Sequence, residues 1–189
     1  MTAPRRVLCL CGSLRRLSSN RAALQAAQQL APPTLQLVLY DSLGLLPLFN
    51  PDDESGPLPP PVLDLRRAVA TADALLIACP EYAHGVPGAF KNLLDWLVGS
   101  LEFPGKPVLL LNASARASHH AQESLVEILS TMSAQLLTQQ PVSVGLPGAG
   151  CTAAQVLASA DRRAELRVVL DRLVASGAVP PSRPSVIGL

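Results

Sequence analysis

Residues 7–20 read VLCLCGSLRRLSSN, an unbroken apolar run followed by a glycine, a pair of arginines and a group of small polar residues. Hydrophobicity at every position of residues 7–11, rather than at alternate positions, indicates a strand covered on both faces, as in a parallel sheet. Apolar residues then recur at helical spacing from Ala23 to Leu30 and stop before Pro32. This stretch therefore predicts a buried strand, a polar turn and a helix.

The same unit recurs along the chain. Further strands are predicted at residues 35–39, 74–79 and 108–111, with a fifth around Leu136 and Leu137 and a final helix over about residues 153–175. Strands alternating with helices predict a three-layer α/β domain with right-handed crossovers. We expect a doubly wound five-stranded parallel sheet in the order 2-1-3-4-5, with helices on both faces. Residues 1–179 are expected to form this single domain, and residues 180–189 a proline-rich tail.

Composition narrows the class of protein. The chain has 189 residues, of which 49% are hydrophobic and 15% charged, and its formal net charge is +1. A near-neutral chain has no field of one sign to attract nucleic acid or an anionic membrane, so local groups must meet any bound anion. Four scattered cysteines lack metal-ligand spacing, and no apolar run has the length of a signal peptide or membrane span. We therefore expect a cytoplasmic, disulfide-free protein without a metal.

The turn after the first strand has the chemistry of an anion site. Small hydroxyl residues at a helix N-terminus, with the positive end of the helix dipole behind them, suit a phosphate. Arg15 could add a charge-assisted contact to that phosphate. The alternative is that Ser18, Ser19 or Asn20 only caps the helix and the arginines are solvated. Capping and phosphate binding need the same residue types, so the turn alone leaves both open.

The connection after the third strand, residues 80–92, reads PEYAHGVPGAFKN. Its prolines and glycines indicate a backbone of defined shape that could bring N–H groups close to a planar ligand, although a plain strand-to-helix turn is the alternative. In the order 2-1-3-4-5, strands one and three are neighbours whose connections leave on opposite faces, and ligands bind in the crevice between them. Both connections open into that crevice, which favours the binding interpretation of each.

These residues together resemble the NADPH-dependent FMN reductase family of flavodoxin-like proteins, which includes quinone, chromate and azo-dye reductases. The resemblance runs from residue 7 to about residue 144 and rests on the GSLR turn, the PEY and VPG motifs, and the later KN and DW pairs. It implies that FMN is held by two groups of residues, around the phosphate and around the ring. The residues implied at the phosphate are Ser13, Arg15, Ser18, Ser19 and Asn20. Those implied at the ring are Pro80, Glu81, Tyr82, Ala83, His84 and Gly85.

The chain departs from the family pattern in two places. The family usually has Asn at the position of Ala83 and often an aromatic residue at that of His84, so a side-chain hydrogen bond is absent here. The family's Ser- and Gly-rich loop after strand four corresponds to residues 112–120, which lack the usual glycines. The resemblance places Ser114 or Ala115 of this loop at the flavin.

The implied function is FMN-dependent NAD(P)H oxidoreduction. Hydride passes from NAD(P)H to flavin N5, and an acceptor such as a quinone, chromate, an azo compound or free flavin is then reduced in the same crevice, so no catalytic side chain is required. There are two alternatives: a flavodoxin-like electron carrier without reductase turnover, and a scaffold that has lost flavin binding. Short-chain flavodoxins are typically strongly acidic, and the near-neutral charge of this chain weighs against the carrier. The resemblance also implies a homodimer or homotetramer, with residues 46–50 and the helix after His120 near a neighbouring subunit.

Three further patterns are interpreted without a function. Residues 148–153, GAGCTA, imitate a dinucleotide fingerprint, but no following strand completes the unit. His119 and His120 are adjacent and cannot face one ligand from a helix, so they are expected to be solvated rather than metal ligands. Residues 52–54, two aspartates and a glutamate, are expected to be a solvated loop.

Overall fold

The computed structural model describes residues 3–114 and 119–178. Strands alternate with helices through almost the whole of this length. The strands are β1 (Arg5–Cys11), β2 (Leu35–Leu39), β3 (Ala74–Ala78), β4 (Pro107–Ser114), β5 (Gln135–Leu136) and β6 (Val142–Gly145). The helices are α1 (Ser19–Leu30), α2 (Pro60–Ala70), α3 (Gly88–Val98), α4 (His119–Thr131), α5 (Ala153–Leu157) and α6 (Ala160–Ala175). The proline-rich tail expected at residues 180–189 lies outside the described residues.

The sheet confirms the predicted topology. All strand pairs are parallel, and the order is β2-β1-β3-β4-β5, with β6 also paired to β4. The fifth strand of the sheet differs from the prediction, because β5 spans only two residues. Beyond it, β6 pairs with the carboxyl half of β4, from Leu111 opposite Val142 to Ser114 opposite Gly145. Only Val144 of β6 is buried, so this edge strand lacks the continuous apolar run by which β1, β3 and β4 were found.

Each face of the sheet has its own core. Along β1, Val7 and Cys9 pack with α1 and α6 on one face, whereas Leu8 and Leu10 pack with α2 and α3 on the other. This is the physical basis of the unbroken apolar run, since every second side chain enters a different core. All four cysteines are buried and free, as expected for reduced residues.

The final helix is two helices, not the single helix predicted. The Ser159 hydroxyl accepts a hydrogen bond from the Arg162 N–H at 3.5 Å and caps α6. A capping box between Thr152 and Gln155 begins α5. Serine caps of this kind restart a helix without interrupting the apolar spacing, so the periodicity did not reveal the break.

The loop between β2 and α2 is fastened to α3. Asn92 accepts a hydrogen bond from the Phe49 N–H and donates one to the Pro47 carbonyl, both at 2.8 Å. The indole N–H of the fully buried Trp96 donates to the same carbonyl at 2.8 Å. Glu54, expected to be solvated, instead pairs with Arg66 at 2.5 Å, whereas its acidic neighbours are exposed. Within the described residues, no helix is long and apolar enough to cross a membrane.

Candidate functional site

The crevice begins where β1 and β3 end side by side. The Gly12 N–H donates to the Ala78 carbonyl at 2.9 Å, which carries the pairing of the two strands one residue past β1. A Cβ atom at Gly12 would lie 2.4 Å from the Cys79 Sγ and 3.1 Å from its Cα. Only glycine therefore lets the two strand ends approach so closely, and the turn at residues 13–18 leaves directly above them.

The N-terminus of α1 opens toward this turn. Ser18 is buried and caps the helix, because its hydroxyl accepts from the Arg21 N–H at 3.3 Å. The N–H groups of Ser19 and Asn20 lie in the first helical turn, where no intrahelical acceptor is available. Ser13 is half-buried, and its hydroxyl accepts from the Arg15 N–H at 3.3 Å. The same helix end is therefore capped by the Ser18 hydroxyl and still has first-turn N–H groups that can bind an anion.

Two neighbouring arginines extend from this turn. Arg15 and Arg16 are both exposed, and neither forms an ion pair within the described part of the chain. The Asn20 side chain is 6% exposed, and its Oδ1 has no hydrogen-bond partner among the described residues. Rotation of the amide would exchange this oxygen for an N–H donor. Cationic side chains, first-turn N–H groups and a buried amide form a donor set that fits a phosphate.

The Ser19 hydroxyl has a structural task that its position in sequence did not suggest. It donates to the Gly148 carbonyl at 3.0 Å and accepts from the Gly150 N–H at 2.8 Å. Gly150 has φ +75°, a conformation that favours glycine. The glycines that imitate a dinucleotide fingerprint therefore dock a loop onto the start of α1. Of Ser19, the backbone N–H is what remains for a phosphate.

The connection after β3 contains a tight turn. Tyr82 and Gly85 exchange two backbone hydrogen bonds, of 3.1 and 3.0 Å. Both residues between them have positive φ, 49° for Ala83 and 60° for His84, so the turn is of type I′. Since Tyr82 and Gly85 bond each other, the N–H groups of Ala83 and His84 are the ones left to face a ligand. An Asn or Gly would adopt this conformation more readily than Ala.

Glu81 ties this connection to α4. Its Oε2 accepts a hydrogen bond from the Ala121 N–H at 3.0 Å, in the first turn of the helix. That bond lowers the pKa of Glu81, desolvation opposes the shift, and the nearby His120, His84 and His119 lower the pKa further. The carboxylate is thus occupied at a helix N-terminus, and the backbone of Glu81 is the part left for a flavin.

The three histidines of the chain lie together beside Glu81. The His84 and His120 rings stack with centroids 4.3 Å apart, and the His119 and His120 rings are 4.0 Å apart. His84 and His119 are exposed, but His120 is half-buried, so the expectation of two freely solvated histidines was wrong for His120. The sequence could not place His84 beside α4, because the contact joins residues far apart in the chain. No metal-binding group of His, Cys, Asp and Glu occurs within residues 3–114 and 119–178.

Each of the two connections at the crevice exposes a large apolar side chain. Leu14 in the first turn and Tyr82 in the second connection are 62% and 51% exposed. Leu45 and Leu48, from the loop fastened to α3, are 68% and 85% exposed. Leu14 also approaches Gly44, since a Cβ there would lie 3.3 Å from the Leu14 Cδ2. Ser114, at the end of β4, is half-buried, whereas Ala115 lies outside the described residues.

A phosphate-type donor set and a shaped, aromatic-containing turn at the switch point of a doubly wound sheet define the class of flavodoxin-like flavoproteins. The chain matches the NADPH-dependent FMN reductase family over residues 5–146 and belongs to that family. The expected enzyme class, FMN-dependent NAD(P)H oxidoreductase, is confirmed by this membership, and so is the FMN cofactor.

Relatives and solved structures agree with the family. An NAD(P)H-dependent FMN reductase of Pseudomonas aeruginosa is 43% identical over 129 residues, which cover 64% of this chain and 69% of the relative. A quinone reductase of Escherichia coli K12 is 34% identical over 136 residues, covering 67% of this chain and 72% of the relative. The structure of FerB, a flavoenzyme NAD(P)H:(acceptor) oxidoreductase of Paracoccus denitrificans, superposes with a TM-score of 0.71 and 25% identity, over 90% of this chain and 98% of FerB.

Proposed function

We propose that the protein is a quinone reductase, which uses NAD(P)H to reduce planar apolar acceptors by two electrons. The observation that carries the proposal is that both connections at the crevice expose a large apolar side chain, Leu14 at 62% and Tyr82 at 51%. A quinone ring gains by covering such side chains, whereas a small oxyanion such as chromate does not. The quinone reductase relative of E. coli supports the same acceptor class.

The FMN phosphate is assigned to the turn at the start of α1. Arg15 supplies charge, Ser13 and Ser18 supply hydroxyls, and the first-turn N–H groups of Ser19 and Asn20 supply directed donors. No carboxylate of the described residues forms an ion pair with Arg15, so its guanidinium is available to an anion. The phosphate is thereby held by local groups, as a chain of net charge +1 requires.

The isoalloxazine ring is assigned to residues 80–85 and to Ser114. FMN, when bound, accepts hydride from NAD(P)H and delivers two electrons to the acceptor. The N–H groups of Ala83 and His84 are oriented by the Tyr82–Gly85 bonds, and they would favour negative charge on a ring beside them. Glu81 holds this turn in place through α4 rather than acting on the ring itself.

Nicotinamide and acceptor are proposed to use the crevice in turn. The described residues form one doubly wound sheet with one switch point, and residues 148–153 dock on α1 instead of forming a nucleotide loop. A single switch-point crevice in the described sheet favours alternation of the two substrates. Initial rates with NADPH and 1,4-benzoquinone should give parallel double-reciprocal lines. Intersecting lines would refute alternation, and failure of NADPH to bleach the bound flavin without oxygen would favour the electron-carrier alternative.

Arg15 provides a direct test of the phosphate assignment because Arg16 is a matched control. Both are exposed arginines in the same turn. Arg15→Ala is expected to weaken FMN binding by about tenfold or more, the loss of one hydrogen-bonded charge contact. Arg16→Ala is expected to leave it within about twofold. Fluorescence titration of the apoprotein with FMN measures both, and equal effects of the two substitutions would contradict the assignment.

We also infer a cytoplasmic location and a homodimer or homotetramer. Four free, buried cysteines support a reducing compartment. The exposed Leu45 and Leu48, held firmly by α3, support a subunit interface at this loop. Light scattering of Leu48→Asp against the unchanged protein tests the interface, since an unaltered mass would contradict it.

A further inference from the structure

Reduction of a quinone needs a proton that the hydride of NAD(P)H does not supply. A quinone takes up two electrons and two protons to become a hydroquinone, whereas a hydride carries two electrons and one proton. The second proton comes from water or from an acid of the protein, and a positioned acid typically accelerates such a step by about 10²–10⁴-fold. The crevice can therefore be searched for a side chain that fits this role.

Most ionisable side chains beside the crevice are unsuited to give a proton at neutral pH. Burial raises the pKa of the Cys11 and Cys79 thiols, which lie at or next to the ends of β1 and β3. The Ala121 N–H lowers the pKa of Glu81, which keeps that side chain a carboxylate. Guanidinium groups do not release a proton in proteins, which excludes the arginines after β1. Imidazole changes its charge near neutral pH, and the connection after β3 contains one, at His84.

His84 lies in the turn that we assign to the flavin ring. It is the second central residue of the type I′ turn closed by Tyr82 and Gly85, with φ 60°. Histidine is enriched among the non-glycine residues that adopt this conformation. The residue is exposed, so its imidazole can exchange a proton with solvent. The turn thus carries a solvent-accessible acid at the connection where the acceptor is proposed to bind.

The ring of His120, in the first turn of α4, packs against this imidazole. The two ring centroids are 4.3 Å apart, and the ring planes make an angle of 27°. Stacking uses one face of each ring and leaves the nitrogens at the ring edge available. His120 is half-buried and can therefore hold the more exposed ring of His84 in one orientation. We regard His120 as a positioning residue.

Carboxylates accompany the stacked rings. The pKa of Glu81 is lowered by a backbone N–H of α4 and, beyond that, by the charges of His120, His84 and His119. A carboxylate this close attracts an imidazolium more than a neutral imidazole. On α4, Glu123 follows one helical turn after His119, whose ring lies 4.0 Å from that of His120. The cluster therefore combines rings that can carry a proton with negative charge that attracts it.

We propose, on the basis of the quinone reductase function above, that His84 is a catalytic residue whose imidazolium donates a proton to an oxygen of the quinone. The quinone takes the hydride supplied by NAD(P)H and the proton from His84, and it leaves as a neutral hydroquinone. The neutral imidazole then regains a proton from water. In balance, NAD(P)H, one proton and one quinone give NAD(P)+ and one hydroquinone.

Two acceptors separate proton donation from electron transfer in the FMN-loaded protein. Reduction of 1,4-benzoquinone takes up a proton, whereas ferricyanide accepts an electron and takes up none. His84→Phe, which keeps a planar ring, should slow 1,4-benzoquinone reduction by about tenfold or more at neutral pH and change ferricyanide reduction by less than about twofold. His119→Phe is the matched control, since the His119 ring contacts His120 rather than His84, and it should leave both rates within about twofold.

NMR of the FMN-loaded protein gives a readout other than turnover. The His84 Cε1–H resonance is assigned by its loss in His84→Phe. Its midpoint in a pH titration should coincide with the pH at which 1,4-benzoquinone reduction falls to half, and ferricyanide reduction should show no such fall. His120→Leu should slow 1,4-benzoquinone reduction, and His120→Phe, which restores a stacking ring, should recover most of the rate. That recovery would show that His120 acts by orienting His84.

Three outcomes would overturn the proposal. They are an unchanged 1,4-benzoquinone rate in His84→Phe, equal slowing of both acceptors by this substitution, and loss of the pH dependence in Tyr82→Phe but not in His84→Phe. Failure of the unchanged protein to reduce 1,4-benzoquinone while it reduces ferricyanide would refute the quinone reductase function itself, and the role of His84 with it. Retained flavin absorbance in each variant shows that a slower rate is not a loss of folding or of FMN.

Discussion

Replacing Ala83 by Gly or Asn is expected to stabilise the protein. Ala83 occupies the first central position of the type I′ turn with φ 49°, closed by the two Tyr82–Gly85 hydrogen bonds. The left-handed conformation costs an ordinary L-residue about 1–2 kcal/mol, and glycine avoids this cost but loses about 0.5–1 kcal/mol to its freer unfolded chain. Ala83→Gly should therefore raise the free energy of unfolding by about 0.5–1 kcal/mol. Ala83→Asn should gain a similar amount, because Asn tolerates this region without the added entropy.

Urea unfolding of the apoprotein measures these differences without a contribution from bound FMN. Ala164→Gly is the matched control, since Ala164 is exposed inside α6 and the same change there should cost about 1 kcal/mol. The two glycine variants should thus shift stability in opposite directions. If Ala83→Gly destabilises the protein as Ala164→Gly does, the turn does not strain Ala83 and the reasoning fails.

The same pair of variants separates strain from recognition. If the Asn that the family usually has at this position contributes a hydrogen bond to the flavin, Ala83→Asn should slow FMN release whereas Ala83→Gly should not. Stopped-flow release of FMN from both variants measures this. Equal release from the two would show that the position acts through the backbone alone.

Three other perturbations test how the crevice is built. Gly12→Ala should destabilise the protein by about 1–3 kcal/mol because the new methyl group meets Cys79. In thermal unfolding, Gly12→Ala/Cys79→Ala should recover part of this loss but not all of it, since the Cys79 Cα also lies 3.1 Å from the new Cβ. The pKa of Glu81 is lowered on folding from its ordinary value of 4.5, so the stability that its carboxylate contributes is complete above that value and is lost as the pH falls through the folded pKa. The difference in stability between the unchanged protein and Glu81→Gln should therefore shrink on acidification. A difference that stays constant with pH would refute the capping role. Asn92→Ala should speed hydrogen exchange of the Phe49 amide, whose acceptor it removes, and unchanged exchange would show that Asn92 does not hold the loop.

The sequence predicted the elements that depend on hydrophobic patterns within a short stretch of chain. Unbroken apolar runs predicted β1, β3 and β4, because each of these strands contributes to two cores. The edge strand β2 was predicted although Gln36 interrupts its apolar run, and its buried residues lie in one core only. The edge strand β6 was missed because it exposes Ser143 and Gly145 and therefore has no such run. The restart at Ser159 was missed because the apolar spacing continues across it.

For the candidate site, the sequence predicted that two connections of the chain meet at one end of the sheet. Position in the sheet brings these connections together, and the topology alone was enough to infer that. The tasks of individual side chains were not predictable, because they depend on partners far away in sequence. Ser19 bonds residues 148 and 150, and Glu81 bonds the first turn of α4.

These distant bonds explain how a crevice made of loops keeps a fixed shape. Each of its three loops is anchored from outside: the turn before α1 through Ser19, the turn after β3 through Glu81, and the loop after β2 through Asn92. Each anchor fixes the backbone of its loop before any ligand arrives, so less ordering entropy is lost on binding. Substitution of any of the three should therefore slow FMN association as well as weaken affinity, whereas loss of Arg15, the proposed phosphate contact, should act mainly on release. If Arg15→Ala changed the rate of FMN association and Glu81→Ala did not, this assignment of roles to the two residues would be wrong.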